Sequence, residues 1–460
     1  LEGNLNSRKH DTVFICQNCG YQSLRWLGKC PQCGEWNTFV EKTEISPRVR
    51  AKTSTPPQSI PEISSAESAR IKTGILEFDR VLGGGIVSGS CVLIAGEPGI
   101  GKSTLLLQVA NAIAGQGKEI LYISGEEDPA QLKMRADRLG ANSRNLKVSF
   151  QSEVGEILGM LEGSNPDLVI VDSIQAVFLE EIPSSPGSVI QVRESASRLF
   201  SLIKSRRTPL ILVGHVTKEG SIAGPRLLEH LVDVVLYFEG DRTGPTRILR
   251  AQKNRFGDTT EIGLFQMTGM GLKEVTEEEE LFLERNSFYT PGNVVTAVLE
   301  GARVLLVGVQ ALVAPSYLAI PRRVSNGFDF NRLLMILAIL ERSTHARFGQ
   351  KDVYVNVLGG LRLDDPASDL ALAIALYSSL EDLSLPPIVA FGELGLGGEI
   401  RPIPNLEKRI VHAQRMGFQL MLTPPLKERG KTEKAKEVEN IRETLNFLRK
   451  ISRKENSSNE

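Results

Sequence analysis

The chain has 460 residues, enough for about three domains, and its 41% hydrophobic content suffices for several buried cores. Its 54 basic and 55 acidic residues nearly cancel, so bulk charge advertises neither a nucleic-acid nor a membrane partner, and any basic surface must be local. No apolar stretch reaches the roughly 18 to 20 uncharged residues of a membrane span. Glu300 and Arg303 interrupt the longest candidate. The polar N-terminus is no signal peptide, Leu1 to about Asn6 reads as a residual cloning segment, and the cytoplasm is the expected compartment.

Residues 10–40 form a small module with too few apolar residues for a core of its own. It holds Cys16, Cys19, Cys30 and Cys33, whereas Cys91 stands alone on a predicted strand. Two Cys-x-x-Cys knuckles close tetrahedrally around Zn²⁺, and Gly20 and Gly34 ease the turn after each. Four protein ligands leave no open position, so this zinc is structural rather than catalytic. Trp26, Arg25 and Lys29 lie between the knuckles, either as a miniature core or as a contact for DNA or a partner protein. Residues 41–70, with Pro47, Pro56, Pro57 and Pro61 among Ser and Thr, read as a flexible linker.

Over 71–275 short apolar runs alternate with helical patterns. Cys91–Ala95, Ile120–Ser124, Leu168–Asp172, Pro209–Val213 and Asp233–Tyr237 are the predicted strands of a mostly parallel α/β sheet covered on both faces. Two further strand-like runs around Gly257, between Thr246 and Thr268, extend it. Gly96-Glu97-Pro98-Gly99-Ile100-Gly101-Lys102-Ser103 is a complete phosphate-binding loop where strand hands over to helix. Its glycines let backbone N–H groups approach a triphosphate, Lys102 reaches the β and γ phosphates, and the Ser103 hydroxyl is placed to ligate Mg²⁺. Thr104 packs or caps. Asp172, ending its strand, is the expected second magnesium residue, directly or through water. Glu126 and Glu127 follow the neighbouring strand, and one of them is the expected base or water-positioning group; spacing does not choose between them.

Glu277–Glu280 and Pro291-Gly292 mark the transition to an α+β domain over 285–455. Strands are predicted at Val294–Leu299, Val304–Val309 and Val353–Val357, and helices at Asn331–Glu341 and Ser368–Ser379. The Lys- and Glu-rich end, from Lys427, reads as a solvated helix with a frayed tail.

Leu82-Gly-Gly-Gly-Ile86, the Gly96–Thr104 loop, Ser124-Gly-Glu-Glu-Asp128 and Lys253-Asn-Arg-Phe-Gly257 together resemble the bacterial RadA (Sms) recombination proteins, nearly end to end. The resemblance implies a RecA-like ATPase core with ATP, Mg²⁺ and Zn²⁺ as cofactors, Glu126 as catalytic glutamate and His215 as the γ-phosphate sensor. It implies that Lys253 and Arg255 act as fingers in a neighbouring subunit's site, so that turnover depends on assembly. It further implies a homo-hexameric DNA motor or helicase in homologous recombination and DNA repair, promoting branch migration. Its partners are single-stranded and branched DNA and recombinase or replication proteins. In such rings Gln175–Arg193 and Val216–Arg226 face the channel, where Lys218 and Arg226 meet phosphates.

Gly359–Asp369 and Gly392–Leu406 resemble the proteolytic domain of Lon, but the positions of its serine and lysine hold Ala367 and Glu407. Ser368 and Lys408 are each one residue away, which on a helix turns a side chain by about 100°. A catalytically inactive domain is expected, serving as a ring scaffold and a DNA-facing surface with Arg322, Arg323 and Lys351 as candidate contacts. Two rivals remain: a RecA-like signalling or clock-type ATPase acting on protein partners, and an ATP-dependent protease.

Overall fold

The computed structural model describes residues 12–16, 20–43, 59, 70–215, 228–240, 244–275, 283, 288–425 and 435–456. Cys19, Lys218, Arg226 and nearly all of the linker lie outside the described residues. The N-terminal segment makes three short strands, β1 (Thr12–Cys16), β2 (Gln22–Ser23) and β3 (Phe39–Thr43), paired antiparallel in the order β2-β1-β3. Its buried apolar residues, among those described, are Ile15, Cys16, Cys30 and Phe39, too few to hold it without a cross-link. Helix α1 (Leu76–Val81) follows β4 (Arg70–Ile71), which pairs with β5 (Ile86–Val87).

The continuous apolar runs then become one nine-stranded sheet of β6 (Cys91–Gly96), β7 (Ile120–Ser124), β8 (Leu146–Ser149), β9 (Leu168–Asp172), β10 (Leu210–His215), β11 (Val234–Glu239), β12 (Thr246–Asn254), β13 (Ile262–Thr268) and β14 (Gly271–Glu274). The order is β14-β13-β12-β11-β6-β10-β9-β7-β8, and β11-β6-β10-β9-β7-β8 are parallel. Strand β8 is absent from the sequence-based expectation because Leu146-Lys-Val-Ser149 is a half-exposed edge without a buried run. Helices α2 (Lys102–Gly115), α3 (Pro129–Arg138), α4 (Val154–Glu162) and α5 (Val189–Arg206) supply the crossovers. Register brings His215 beside Gly96 and Asp172 beside Ser124, so the carboxyl ends of β6, β7, β9 and β10 finish together. Ligands of open α/β sheets bind at such an edge.

The chain parts into two compact units, Leu1–Glu239 with Leu249–Thr259 and Thr268–Leu272, and Gly240–Ile248 with Thr260–Met267 and Lys273–Glu460. The second has a seven-stranded mixed sheet of β15 (Asn293–Glu300), β16 (Arg303–Pro315), β17 (Arg323–Asn326), β18 (Lys351–Val357), β19 (Ile388–Ala390), β22 (Leu420–Thr423) and β23 (Ala435–Glu437). The order is β17-β18-β16-β15-β19-β22-β23; β20 (Glu393–Leu394) and β21 (Ile400–Arg401) pair separately. Helix Asp369–Leu380 is buried from Asp369 through Ser378, which fits a helix apolar all round.

The C-terminal helix is not solvated. Ile441–Asn456 presents Ile441, Leu445 and Leu448 to the core, and this i, i+4, i+7 stripe lies hidden among the Lys and Glu of its other face. Helix Leu406–Arg415 buries Arg409 to 1% exposure. Its guanidinium meets the Asp365 carboxylate at 2.7 Å and donates to the carbonyls of Pro404 and Ala297. Arg409→Met leaves that carboxylate with only the Leu299 and Ala367 amides and takes the guanidinium from two carbonyls, and it is expected to destabilise the second unit by roughly 3 kcal/mol. Calorimetry of the full chain reads this as a downward shift of one unfolding transition.

Candidate nucleotide site and metal centre

The loop between β6 and α2 takes its shape from glycines that no other residue can replace without strain. Gly99 and Gly101 have φ of 79° and 115°, and a Cβ on Gly96 would meet the Phe238 carbonyl oxygen at 2.4 Å. Gly101 caps α2 without a side-chain hydrogen bond, leaving the first N–H groups of that helix for an anion. Ile100 is buried under the loop, Glu97 is half-buried, and Pro98 and Gly99 are exposed on it. Ser103 and Thr104 are half-buried in the first helical turn.

Lys102 is only 3% exposed, and its ammonium is the hub. Nζ donates to the carbonyls of Gly96 and Glu97 at 2.9 Å each and lies 3.2 Å from His215 Nδ1. Burial lowers this lysine to about 8, against the opposing charges of Asp172 and Glu126. His215 Nε2 is 2.9 Å from Glu126 Oε1, which also accepts from the Ser173 hydroxyl. These bonds, with burial opposing them, hold the Glu126 carboxyl down at about 2. An ammonium only donates and an ionised carboxylate only accepts, so the imidazole carries its proton on Nε2.

The two candidate glutamates thereby part company. Glu126 joins the network of Lys102 and His215, while Glu127 turns to Arg135, and burial pushes its carboxyl up. Asp172, 7% exposed, accepts a 2.5 Å hydrogen bond from the Tyr122 hydroxyl on Oδ2, and its buried Oδ1 has no hydrogen-bond partner. That orphaned oxygen, together with a glycine-lined helix N-terminus, fits a magnesium-bound triphosphate. The sequence reading missed Tyr122 and Ser173. Tyr122 reads as core, and only the register of β7 against β9 shows that it lies one pleat from Asp172.

Lys253–Gly257 packs back onto its own unit. Lys253 Nζ donates to the carbonyls of Glu229 and Val232 at 2.6 and 2.7 Å, and the Asn254 side chain donates to the Val81 carbonyl. Gly257 approaches Gly83 so closely that a Cβ on it would sit 3.0 Å from Gly83 Cα, which accounts for glycine in both motifs. Arg255 keeps 56% of its side chain exposed while meeting Asp233 at 3.1 Å. Of the two cations it is the one left facing solvent.

In the cysteine module the sulfurs of Cys16, Cys30 and Cys33 lie within 4.8 Å of one another, with Cys16 and Cys33 3.6 Å apart. A tetrahedron with Zn–S bonds of about 2.3 Å has edges of about 3.8 Å, so the spacing suits zinc and is far too long for a disulfide of about 2.05 Å. Gly20 and Gly34, at φ 76° and 78°, donate to the carbonyls of Cys16 and Cys30, so both knuckles close alike. In the second unit Ser368 is fully buried and donates to the Asp365 carbonyl, Ala367 is buried, and Glu407 and Lys408 are exposed on helix Leu406–Arg415. Arg323, a candidate contact, is tied to the carbonyls of Arg322, Lys351 and Phe348.

The value of about 8 for Lys102 makes triphosphate affinity pH-dependent. Below it the ammonium is already present; above it binding must take up a proton. Affinity is expected to be full below pH 8 and to weaken by up to about tenfold per pH unit above it. Titration calorimetry at pH 8.5 in buffers of different ionisation enthalpy detects the proton; an affinity constant from pH 7 to 9.5 contradicts it.

Comparison with known proteins gives three partial family matches and several relatives along most of the chain. Residues 71–157 match the KaiC ATPase family, residues 14–41 the rubredoxin metal binding domain, and residues 333–427 subunit ChlI of Mg-chelatase. The rubredoxin match spans Cys19 as well as the three clustered cysteines. The chain is 48% identical over 425 residues to the DNA repair protein RadA of Bacillus subtilis, covering 90% of this chain and 93% of that protein. The RadA of Brucella abortus is 47% identical over 425 residues, covering 89% and 91%, and that of Aquifex aeolicus 46% over 420, covering 90% and 94%. Similarity of this extent places a RecA-like P-loop core, a zinc ribbon and a mixed α/β second unit in one lineage: the chain belongs to the RadA family of DNA repair proteins.

Proposed function

We propose that the chain is an ATP-driven motor for DNA in homologous recombination and repair, working as a hexameric ring around single-stranded DNA to promote branch migration. The observation that carries the ATPase part is the convergence of Lys102, Asp172, Glu126 and His215 on one glycine loop. The DNA part rests on relatives named DNA repair proteins. No helix among the described residues is long and apolar enough to cross a membrane.

In this reading the phosphates of ATP compete with the Gly96 and Glu97 carbonyls and with His215 for the protons of Lys102. Ser103 and Asp172 would hold a Mg²⁺ ion, which would supply charge neutralisation for the phosphates. His215 senses the γ-phosphate through Lys102, and its bond to Glu126 makes that carboxylate the one coupled to nucleotide. A carboxyl held at about 2 is a weak base, so Glu126 works by orienting the attacking water more than by removing its proton. Zinc, on Cys16, Cys19, Cys30 and Cys33, is structural.

Between β9 and α5 the segment from Gln175 is stiffened by buried Gln191, whose amide bonds Leu179 at both N and O and also the Ile182 and Ser184 carbonyls. It carries Glu180 and Glu181 and no Lys or Arg before Arg193, which leaves phosphate contacts to Lys218 and Arg226. The second unit is an inactive protease-like scaffold, since its nearest serine is buried and its nearest lysine faces solvent. The KaiC match favours the rival of an ATPase acting on protein partners. ATPase rate measured with and without single-stranded DNA across a salt series separates them. Stimulation that fades steeply with salt is expected; absence of both stimulation and salt-sensitive binding sinks the motor reading.

The finger role is tested by Arg255→Ala, expected to leave ATP affinity intact and slow hydrolysis by about a thousandfold or more. Mixing it with Lys102→Ala subunits restores part of the rate if Arg255 acts across a subunit boundary. No recovery in the mixture, or an undiminished rate in Arg255→Ala, removes that role.

A further inference from the structure

Tyr122 lies in the middle of β7 with no exposed surface. In the parallel pair it stands opposite Ile170, while Asp172 stands opposite Ser124, so Tyr122 and Asp172 share one face of the sheet on adjacent strands. A tyrosine is long enough to reach that diagonal neighbour. Its hydroxyl does so, donating to Asp172 Oδ2 at 2.5 Å. The other carboxylate oxygen is buried and receives no hydrogen bond.

A carboxylate offers about four acceptor positions, and a buried one is costly unless they are met. One donor on Oδ2 fixes rotation about the Cβ–Cγ bond and leaves Oδ1 as the only unmet oxygen. Asp172 ends β9 at the carboxyl edge of the sheet, where the parallel strand β6 runs into the phosphate loop. We propose that Tyr122 is a positioning residue for the metal: by pinning Oδ2 of Asp172 it aims Oδ1 at the magnesium ion, or its bound water, that accompanies the nucleotide. The inference rests on the Mg²⁺-ATP reading of this site.

The test measures binding of a fluorescent ATP analogue to the full-length protein as a function of free Mg²⁺ and, separately, in EDTA. Tyr122→Phe keeps the ring and removes only the donor. It is expected to raise the half-saturating Mg²⁺ concentration by about tenfold or more, the usual effect of losing an outer partner of a metal ligand, and to leave affinity in EDTA unchanged. Combined with Asp172→Asn it should add nothing to the single Asp172→Asn change, because both act through one oxygen. Site-specific 3-fluorotyrosine at position 122, which preserves donor and shape, is expected to hold the wild-type Mg²⁺ dependence. An unchanged half-saturation in Tyr122→Phe overturns the assignment. So does an equal loss in EDTA, which a merely structural hydroxyl would give, or a loss in the fluorotyrosine protein as large as in phenylalanine. Absence of any Mg²⁺ dependence in the wild type overturns the Mg²⁺-ATP reading itself, and the positioning role with it.

Discussion

A lysine ammonium at 3% exposure has to be paired on every side, and the first unit is organised around meeting that demand for Lys102. Two loop carbonyls and an imidazole nitrogen accept its protons, and Asp172 and Glu126 supply opposing charge. Apart from the two loop carbonyls, none of these groups is near Lys102 by virtue of sequence alone. His215, Asp172 and Glu126 arrive because β6, β7, β9 and β10 are parallel and end at one level, with these polar residues at or just past the ends of their strands. The apolar strands are thus the part of the active centre that sets distance.

The same network links Lys102 to Glu126 through His215. Whatever draws Lys102 toward phosphate draws it from His215, and His215 is the main reason that Glu126 is so acidic. Glu127, one residue on, is committed to Arg135 and shows how little separates a catalytic candidate from a structural one. Lys253 illustrates the same point. A cation in a motif that resembles a subunit-crossing finger is engaged by two carbonyls of its own chain, and Arg255 is the more exposed of the pair.

The second unit carries ion pairs built into its interior. Arg409 holds Asp365, and Arg332 holds the fully buried Asp369, which also accepts from the Leu394 amide. Buried pairs of this kind contribute little net stability, but losing one partner is costly, so they lock an arrangement in place. Ser368 spends its hydroxyl on the carbonyl of Asp365 in that same framework.

What the sequence determined by itself was whatever a few neighbouring residues dictate. Gly99 and Gly101 of the phosphate loop and Gly20 and Gly34 after the cysteine knuckles are needed for positive φ, the apolar runs for buried parallel strands, and the paired cysteines for a cluster that suits a metal. Each of these requirements is local, and each is legible in a short stretch. The tertiary structure put Glu126, the glutamate the resemblance implied, rather than Glu127 into the Lys102 network, and it alone joined Tyr122 to Asp172, tied Lys253 down and docked the charged C-terminal helix through Ile441, Leu445 and Leu448. Those outcomes depend on strand register and on the direction in which a side chain leaves its backbone, and both are set by residues far away in the chain. A buried tyrosine reads as core until its hydroxyl is seen to have a carboxylate to hold.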